Sequence, residues 1–153
     1  MKIRLIAVGR LRQIECQRLC EQYLRRLEAY LRCEMIEVRD ARLGSADACL
    51  AKEAHEILAR IETGNQVILL DSRGTERDSP GLARWLAQQQ LQATDMVLVI
   101  GSSWGVAASV RERSNTTWSL SALTFPHELA RVLVLEQLYR AATILAGHPY
   151  HHD

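Results

Sequence analysis

The chain has 153 residues, 48% apolar and 24% charged, a balance that excludes disorder and predicts one domain spanning 1–153 with a single sizeable core. Its net charge of +1 excludes a global field that would draw it onto free nucleic acid. No apolar run approaches the roughly 20 residues of a membrane span, and four cysteines without a second pair at zinc spacing (Cys16, Cys20, Cys33, Cys49) read as free thiols of a cytoplasmic protein with no metal.

The first stretch, MKIRLIAVGRLR, has too short an apolar run and no small-residue cleavage site for a signal peptide, so 3–9 reads as a strand. A helix is predicted at 14–31, then a strand at 33–40 whose partial alternation places it near an edge. A helix at 46–63 leads to the strand 66–71, and a helix at 80–92 leads to the strand 96–101. QVILL and MVLVI are apolar throughout, as central strands covered on both faces must be. A helix at 105–113, a strand at 118–123 and a last helix at 126–147 complete the chain. Strands alternating with helices predict an α/β domain with a mostly parallel sheet of five or six strands, covered by helices.

The last helix is apolar on nearly every face, so it is buried or covered by a partner subunit. Pro126 suits its first turn, having no N–H to lose. Its polar residues stand out. Glu136, Arg140 and Thr143 share a face at three- and four-residue spacing, with Glu136 placed favourably N-terminal to Arg140. Arg131 falls among Leu135, Leu138 and Ala142, where it requires a carboxylate, a phosphate or a cluster of carbonyls.

In open α/β sheets ligands sit beyond the carboxyl ends of central strands. Three such ends carry turn chemistry: LLDSRG (69–74), VIGSSWG (99–105) and LSALTFPHE (120–128). None matches the dinucleotide or P-loop glycine patterns. One such loop alone reads as an ordinary strand–helix turn; three at one sheet edge predict a ligand pocket. Asp71 is expected at the mouth of its strand, capping the turn to Gly74, and His55 on the helix surface. His127 is a candidate cap, packing or catalytic residue. The tail HPYHHD holds groups able to move protons, although a terminal segment also frays.

The block WSLSALTFPHELARVLVLEQLYRAATILAGHPYHHD, with AVGRLR, YLRRL, KEAHEILARI, VILLDSRG, DSPGLARWL and VLVIG in order, closely resembles the RlmH (YbeA-type) ribosomal RNA methyltransferases. The resemblance covers nearly the whole chain. It implies a minimal SPOUT-type α/β fold whose C-terminal segment is threaded into a trefoil knot, a feature that strand periodicity does not reveal. It further implies a homodimer that transfers a methyl group from S-adenosylmethionine to N3 of a pseudouridine in 23S rRNA on the assembled ribosome. The cofactor contacts implied are Leu70, Gly101, Leu120, Ser121, Ala122, Leu123, Thr124 and Phe125, at the three strand ends already singled out. Gly101 would let the backbone approach the cofactor closely.

The tail of one subunit is implied to complete its partner's site. That assigns Tyr150, His151, His152 and Asp153 to the substrate side, beside Glu136 and Arg140. The expected catalytic set is Glu136, Arg140, Tyr150 and His151, with His151 or Glu136 managing the N3 proton and Arg140 positioning charge.

Two departures stand out. The family commonly opens the loop with Gly-Gly, and this chain has Gly101-Ser102 with Trp104 before Gly105. The family tail commonly ends His-Arg-Glu, and this one ends His151-His152-Asp153. A second reading is therefore an RNA-binding protein without catalysis, its cofactor loop obstructed by Ser102 and Trp104. A third is a methyltransferase of the same class acting on transfer RNA. The Trp104 indole is expected over the cofactor, against a flipped base, or on the dimer seam.

Overall fold

The computed structural model describes residues 1–152; Asp153, assigned above to the tail site, lies outside the described residues. The strands are β1 (Lys2–Val8), β2 (Arg32–Val38), β3 (Gln66–Glu76), β4 (Met96–Ile100) and β5 (Thr116–Ser119). The helices are α1 (Ile14–Leu27), α2 (Ala46–Leu58), α3 (Ser79–Leu91), α4 (Ala108–Arg113) and α5 (His127–Leu145). All strand pairings are parallel, in the order β2-β1-β4-β3-β5. The α/β class, the parallel sheet and the edge position of β2 are as expected from the sequence.

Alternation along the buried strands divides the core in two. Ile3, Leu5, Ala7, Ile68, Met96, Leu98 and Ile100 face a layer that includes Cys20, Leu86, Leu135 and Leu138, from α1, α3 and α5. Ile6, Val8, Val67, Leu69, Val97 and Val99 face Ala54, Ile57 and Val110, from α2 and α4. Period-two side chains on a doubly covered sheet require apolar residues at every position, which is why QVILL and MVLVI are uninterrupted. β4 is buried throughout.

Several boundaries differ from the sequence reading. β3 runs on to Glu76, because a register shift between Leu70 and Thr75 lets it resume pairing with β5 at Trp118 and Ser119. The polar SRGTE segment reads as a turn until the bulge is seen. β5 stops at Ser119, and 120–126 follows a path without regular structure. Helix α1 ends at Leu27, where Tyr30 and Leu31 fold their N–H groups back onto the Leu27 carbonyl. Helix α2 ends at Leu58, short of 63, and α4 begins at Ala108, after 105.

Candidate active site

Three neighbouring strands, β4, β3 and β5, end side by side and build the site. After β4, Ser102 N donates to Gly105 O (3.1 Å) and Gly105 N to Ser102 O (2.8 Å), closing a tight loop. Gly105 takes φ +83°, a conformation that side chains disfavour. A Cβ on Gly101 would lie 2.7 Å from the Gly105 carbonyl carbon and 2.8 Å from Val106 Cγ1. The loop's own closure thus already requires Gly101, a nearer cause than ligand approach.

Where β3 shifts register, Asp71 Oδ1 accepts from Arg73 N and Nε (both 3.0 Å), and Oδ2 accepts from Arg73 Nη2 (2.9 Å) and both terminal nitrogens of Arg111 (3.2 Å). The Arg73 side-chain bond foremost holds this carboxyl well below the usual range, against the effect of burial. Asp71 therefore ties Arg73 and Arg111 together inside the bulged part of β3, mostly buried, rather than standing exposed at a strand mouth as the sequence predicts. Beyond β5, Ser119 Oγ donates to Ser121 O (2.9 Å) and Leu123 N donates to Ser121 Oγ (3.0 Å). These bonds fix the irregular segment that replaces the end of the expected strand.

The three segments and the first turn of α5 enclose a cleft of about 660 Å³, within the size range of small-molecule sites. Leu70, Gly101, Leu120, Ser121, Leu123, Thr124 and Phe125 line it; Ala122, which is exposed, does not. Ile100, Val106 and Trp118 complete its floor and walls. Being apolar core positions, they carry no sequence signal that separates lining from packing. Trp104 is 66% exposed and absent from the lining, so it does not obstruct the cleft.

The second group forms at the other end of α5. Glu136 Oε1 accepts from Arg140 Nε (3.0 Å), Arg140 Nη2 (2.6 Å) and Tyr150 OH (3.1 Å), and Oε2 accepts from Gln137 Nε2 (2.5 Å). Arg140 Nη1 approaches His151 Nδ1 (3.3 Å). The Tyr150 ring lies 4.7 Å from the Tyr139 ring and 4.8 Å from the Arg140 guanidinium carbon. Burial, contact with Tyr23 and the Glu136 charge push the Tyr150 phenol up. Burial pulls the Arg140 pKa down, and the Glu136 bond and charge more than reverse this. The tail is thus packed through Tyr150 and His151, and Glu136, Arg140, Tyr150 and His151 do come together. His152 is exposed, and the Thr143 hydroxyl donates to the Arg140 carbonyl (2.7 Å) rather than joining the cluster.

The two groups are separate within one chain. From His127, on the cleft wall, to Arg140 is thirteen residues of helix, about 20 Å at the helical rise. Between them Arg131 is fully buried, Nη2 donating to the carbonyls of Val8 and Gly9 (both 2.9 Å) and Nη1 pairing with Glu37 (3.2 Å). This is the carboxylate and carbonyl set its sequence context demanded. His127 Nδ1 lies 3.0 Å from Arg131 Nη2. Its i,i+4 spacing to Arg131 is the signal that could have placed it at the site.

The family model described as "Predicted SPOUT methyltransferase" matches residues 1–151. The chain belongs to this family. It is 56% identical over 152 residues to the ribosomal RNA large subunit methyltransferase H of Gloeobacter violaceus, covering 99% of both chains. It is 39% identical over 153 residues to the protein of the same description from Pelobacter propionicus, covering 99% of this chain and 100% of that one. In fold it is similar to a solved structure described as a probable rRNA-methyltransferase from Porphyromonas gingivalis, with TM-score 0.53 and 12% identity, covering 94% of this chain and 69% of that one. Among the described residues no helix is long and apolar enough to cross a membrane. No group of three or more His, Cys, Asp and Glu among them is placed to hold a metal ion.

Proposed function

We propose that the protein is a cytoplasmic, homodimeric methyltransferase that uses S-adenosylmethionine to methylate N3 of a pseudouridine in 23S rRNA, within the ribosome. The observation that carries this reading is the cleft, where seven of the eight residues expected to hold the cofactor meet on three adjacent strand ends. Family membership and the large-subunit rRNA methyltransferases to which the chain is similar supply the reaction class and the substrate class. The trefoil knot belongs to the same reading, with 120–126 and α5 as the threaded segment.

The cleft fits the cofactor's chemistry. Leu70, Leu120, Leu123 and Phe125 give flat apolar walls for an adenine, and the buried Ser102 Oγ has no hydrogen-bond partner among the described residues. When bound, S-adenosylmethionine supplies an electrophilic methyl group on a sulfonium. The chain's own task is then to hold the target nitrogen in line with that methyl and to remove its proton.

Glu136, Arg140, Tyr150 and His151 carry that second task. Four donors occupy the Glu136 carboxylate, which makes it the anchor that orients Arg140 and Tyr150. The Arg140 guanidinium stabilises negative charge developing at N3 and the adjoining carbonyls. His151 Nδ1 lies 3.3 Å from Arg140 Nη1, and a substrate that displaces Arg140 from Nδ1 would hand the N3 proton to that nitrogen. These residues stand about 20 Å along α5 from their own cleft, a separation that supports a site completed by the partner subunit's tail. Trp104, Leu123 and Leu129, exposed by 66%, 70% and 39%, provide apolar surface for that dimer.

The test uses purified protein, methyl-labelled S-adenosylmethionine and large ribosomal subunits from a strain lacking the enzyme, with mass spectrometry of the rRNA. One methyl on N3 of a single pseudouridine is expected. Label on transfer RNA alone, or none, overturns the proposal.

A further inference from the structure

A smaller recess of about 200 Å³ lies beside the cleft, lined by Val8, Gly9, Arg10, Arg12, Asp40, Ser102, Ser103 and His127. Ser102, Ser103 and His127 also line the cleft, so the two share one wall. Resting on the methyltransferase reading above, we infer that this recess binds an oxyanion, held by Arg10, Arg12 and the Nε2–H of His127, at the edge of the cofactor cleft.

The segment carrying the arginines is fixed in place. Gly9 turns at φ +91° and its N–H donates to Val38 O (2.7 Å). Leu11 N donates to Glu37 Oε1 (2.9 Å), Arg12 N to Glu128 Oε1 (3.0 Å) and Gln13 N to Glu128 Oε2 (2.9 Å). These bonds also account for the nearby carboxylates. Both Glu128 oxygens are taken by backbone N–H groups and Glu37 serves Leu11 and the buried Arg131, while Asp40, on the recess wall, is half-exposed and meets Arg42 only at 3.6 Å. The side chains of Arg10 and Arg12 have no hydrogen-bond or ion-pair partner among the described residues. Two arginines held on a fixed loop, with Glu37 and Glu128 already occupied and Asp40 the one opposing charge in the lining, provide forked donors for a carboxylate or phosphate.

His127 supplies the inner donor. Arginine only donates, so at 3.0 Å from Arg131 Nη2 the Nδ1 atom accepts and the ring proton resides on Nε2. Burial first, and then the Arg131 charge, lower the His127 pKa, so the ring is a neutral donor with a set tautomer. The buried, unpartnered Ser102 Oγ stands in the same shared wall. The oxyanion is the carboxylate at the amino-acid end of the cofactor or a phosphate of the RNA; both present the same geometry to a guanidinium.

Titration calorimetry of the full-length dimer with S-adenosylmethionine and with its decarboxylated analogue, alongside steady-state kinetics on large ribosomal subunits, distinguishes the sources. If the carboxylate is the ligand, Arg10→Ala/Arg12→Ala and His127→Ala bind S-adenosylmethionine about tenfold more weakly and the decarboxylated analogue unchanged. If a phosphate is the ligand, cofactor affinity holds while KM for subunits rises at least about fivefold at constant kcat, and the log–log salt slope falls by about one per arginine. In either case Arg10→Lys/Arg12→Lys and His127→Gln, which retain charge and N–H, restore most of the loss, and unchanged melting temperatures exclude misfolding. Variants within twofold of wild type in both assays overturn the recess alone. Wild-type protein that takes up no S-adenosylmethionine overturns the methyltransferase reading and the recess with it.

Discussion

Arg131 on α5 and Glu37 at the end of β2 are joined by a 3.2 Å ion pair across 94 positions of sequence. The arginine is fully buried and the glutamate about one-third exposed. The pair is asymmetric, because the guanidinium also satisfies the carbonyls of Val8 and Gly9 and orients His127. Truncating Arg131 removes the guanidinium from those carbonyls next to the cleft and leaves Glu37 only its bond from Leu11 N. Arg131→Ala is therefore expected to destabilise the fold by about 3–5 kcal/mol. Glu37→Gln, partly solvated and still able to accept, should cost about 1 kcal/mol. Urea denaturation checks both, and equal effects would refute the asymmetry.

Gly101 tests whether loop closure and cofactor binding are one property. A methyl at this position meets backbone of Gly105 and the Val106 side chain closer than 3 Å, and backbone has nowhere to shift cheaply. Gly101→Ala should destabilise by about 1–3 kcal/mol and weaken S-adenosylmethionine by about tenfold or more. Calorimetry showing unchanged affinity would separate the two properties.

How much of this was legible in the sequence follows from which interactions are local. The five strands, the five helices and the three strand ends rest on hydrophobic periodicity and glycine punctuation, which are local and strong. Arg131's need for partners was legible from its apolar neighbours, whereas Glu37, Val8 and Gly9 as those partners were not, because only the fold brings them there. The continuation of β3 through SRGTE was hidden by a bulge, and the end of β5 by side-chain bonds of Ser119 and Ser121 that compete with the ladder. Tyr150 and His151 looked like frayed tail or active site equally well; their packing against Tyr139 and Arg140 decides for order.

Cys20 predicts an alkaline limit to stability. Burial above all raises its thiol from 9.0 to about 11. The unfolded chain therefore ionises Cys20 near pH 9 while the folded chain stays neutral, so stability is full below pH 9 and falls as pH rises toward 11. The loss approaches on the order of 2 kcal/mol per such group, and Tyr150, raised for the same reason, adds to it above pH 10. Denaturant midpoints of wild type and Cys20→Ala between pH 8 and 11 check this: the variant should have lower stability at pH 8 and a shallower decline.

Trp104 lies on the outer side of the loop that builds the cleft. At 66% exposure it is off the cleft lining, and the proposed dimer would place it on the seam rather than over the cofactor. Trp104→Ala should leave S-adenosylmethionine affinity within twofold and weaken self-association by about 2 kcal/mol, roughly thirtyfold. Sedimentation equilibrium and calorimetry read the two quantities separately. A large loss of cofactor affinity with an intact dimer would move the indole into the site.

The division of labour in the tail cluster gives the sharpest kinetic expectation. Glu136 accepts four hydrogen bonds and holds Arg140 and Tyr150 in position, while His151 meets the cluster through Arg140, at 3.3 Å. His151→Ala should therefore slow single-turnover methylation by about a hundredfold or more, with cofactor binding unchanged because His151 is not among the residues that line the cleft. Glu136→Gln should slow it to a similar degree by releasing Arg140. Tyr150→Phe, which deletes the 3.1 Å bond to Glu136 and the hydroxyl's contact with Tyr23, should cost a few-fold, in line with the loss of partly exposed hydrogen bonds. Mixing Gly101→Ala and His151→Ala protomers adds the decisive arm. If each site joins one chain's cleft to the other chain's tail, the mixed dimer recovers one functional site and the parent variants have none. Full wild-type rates in both His151→Ala and Glu136→Gln would remove the cluster from the chemistry.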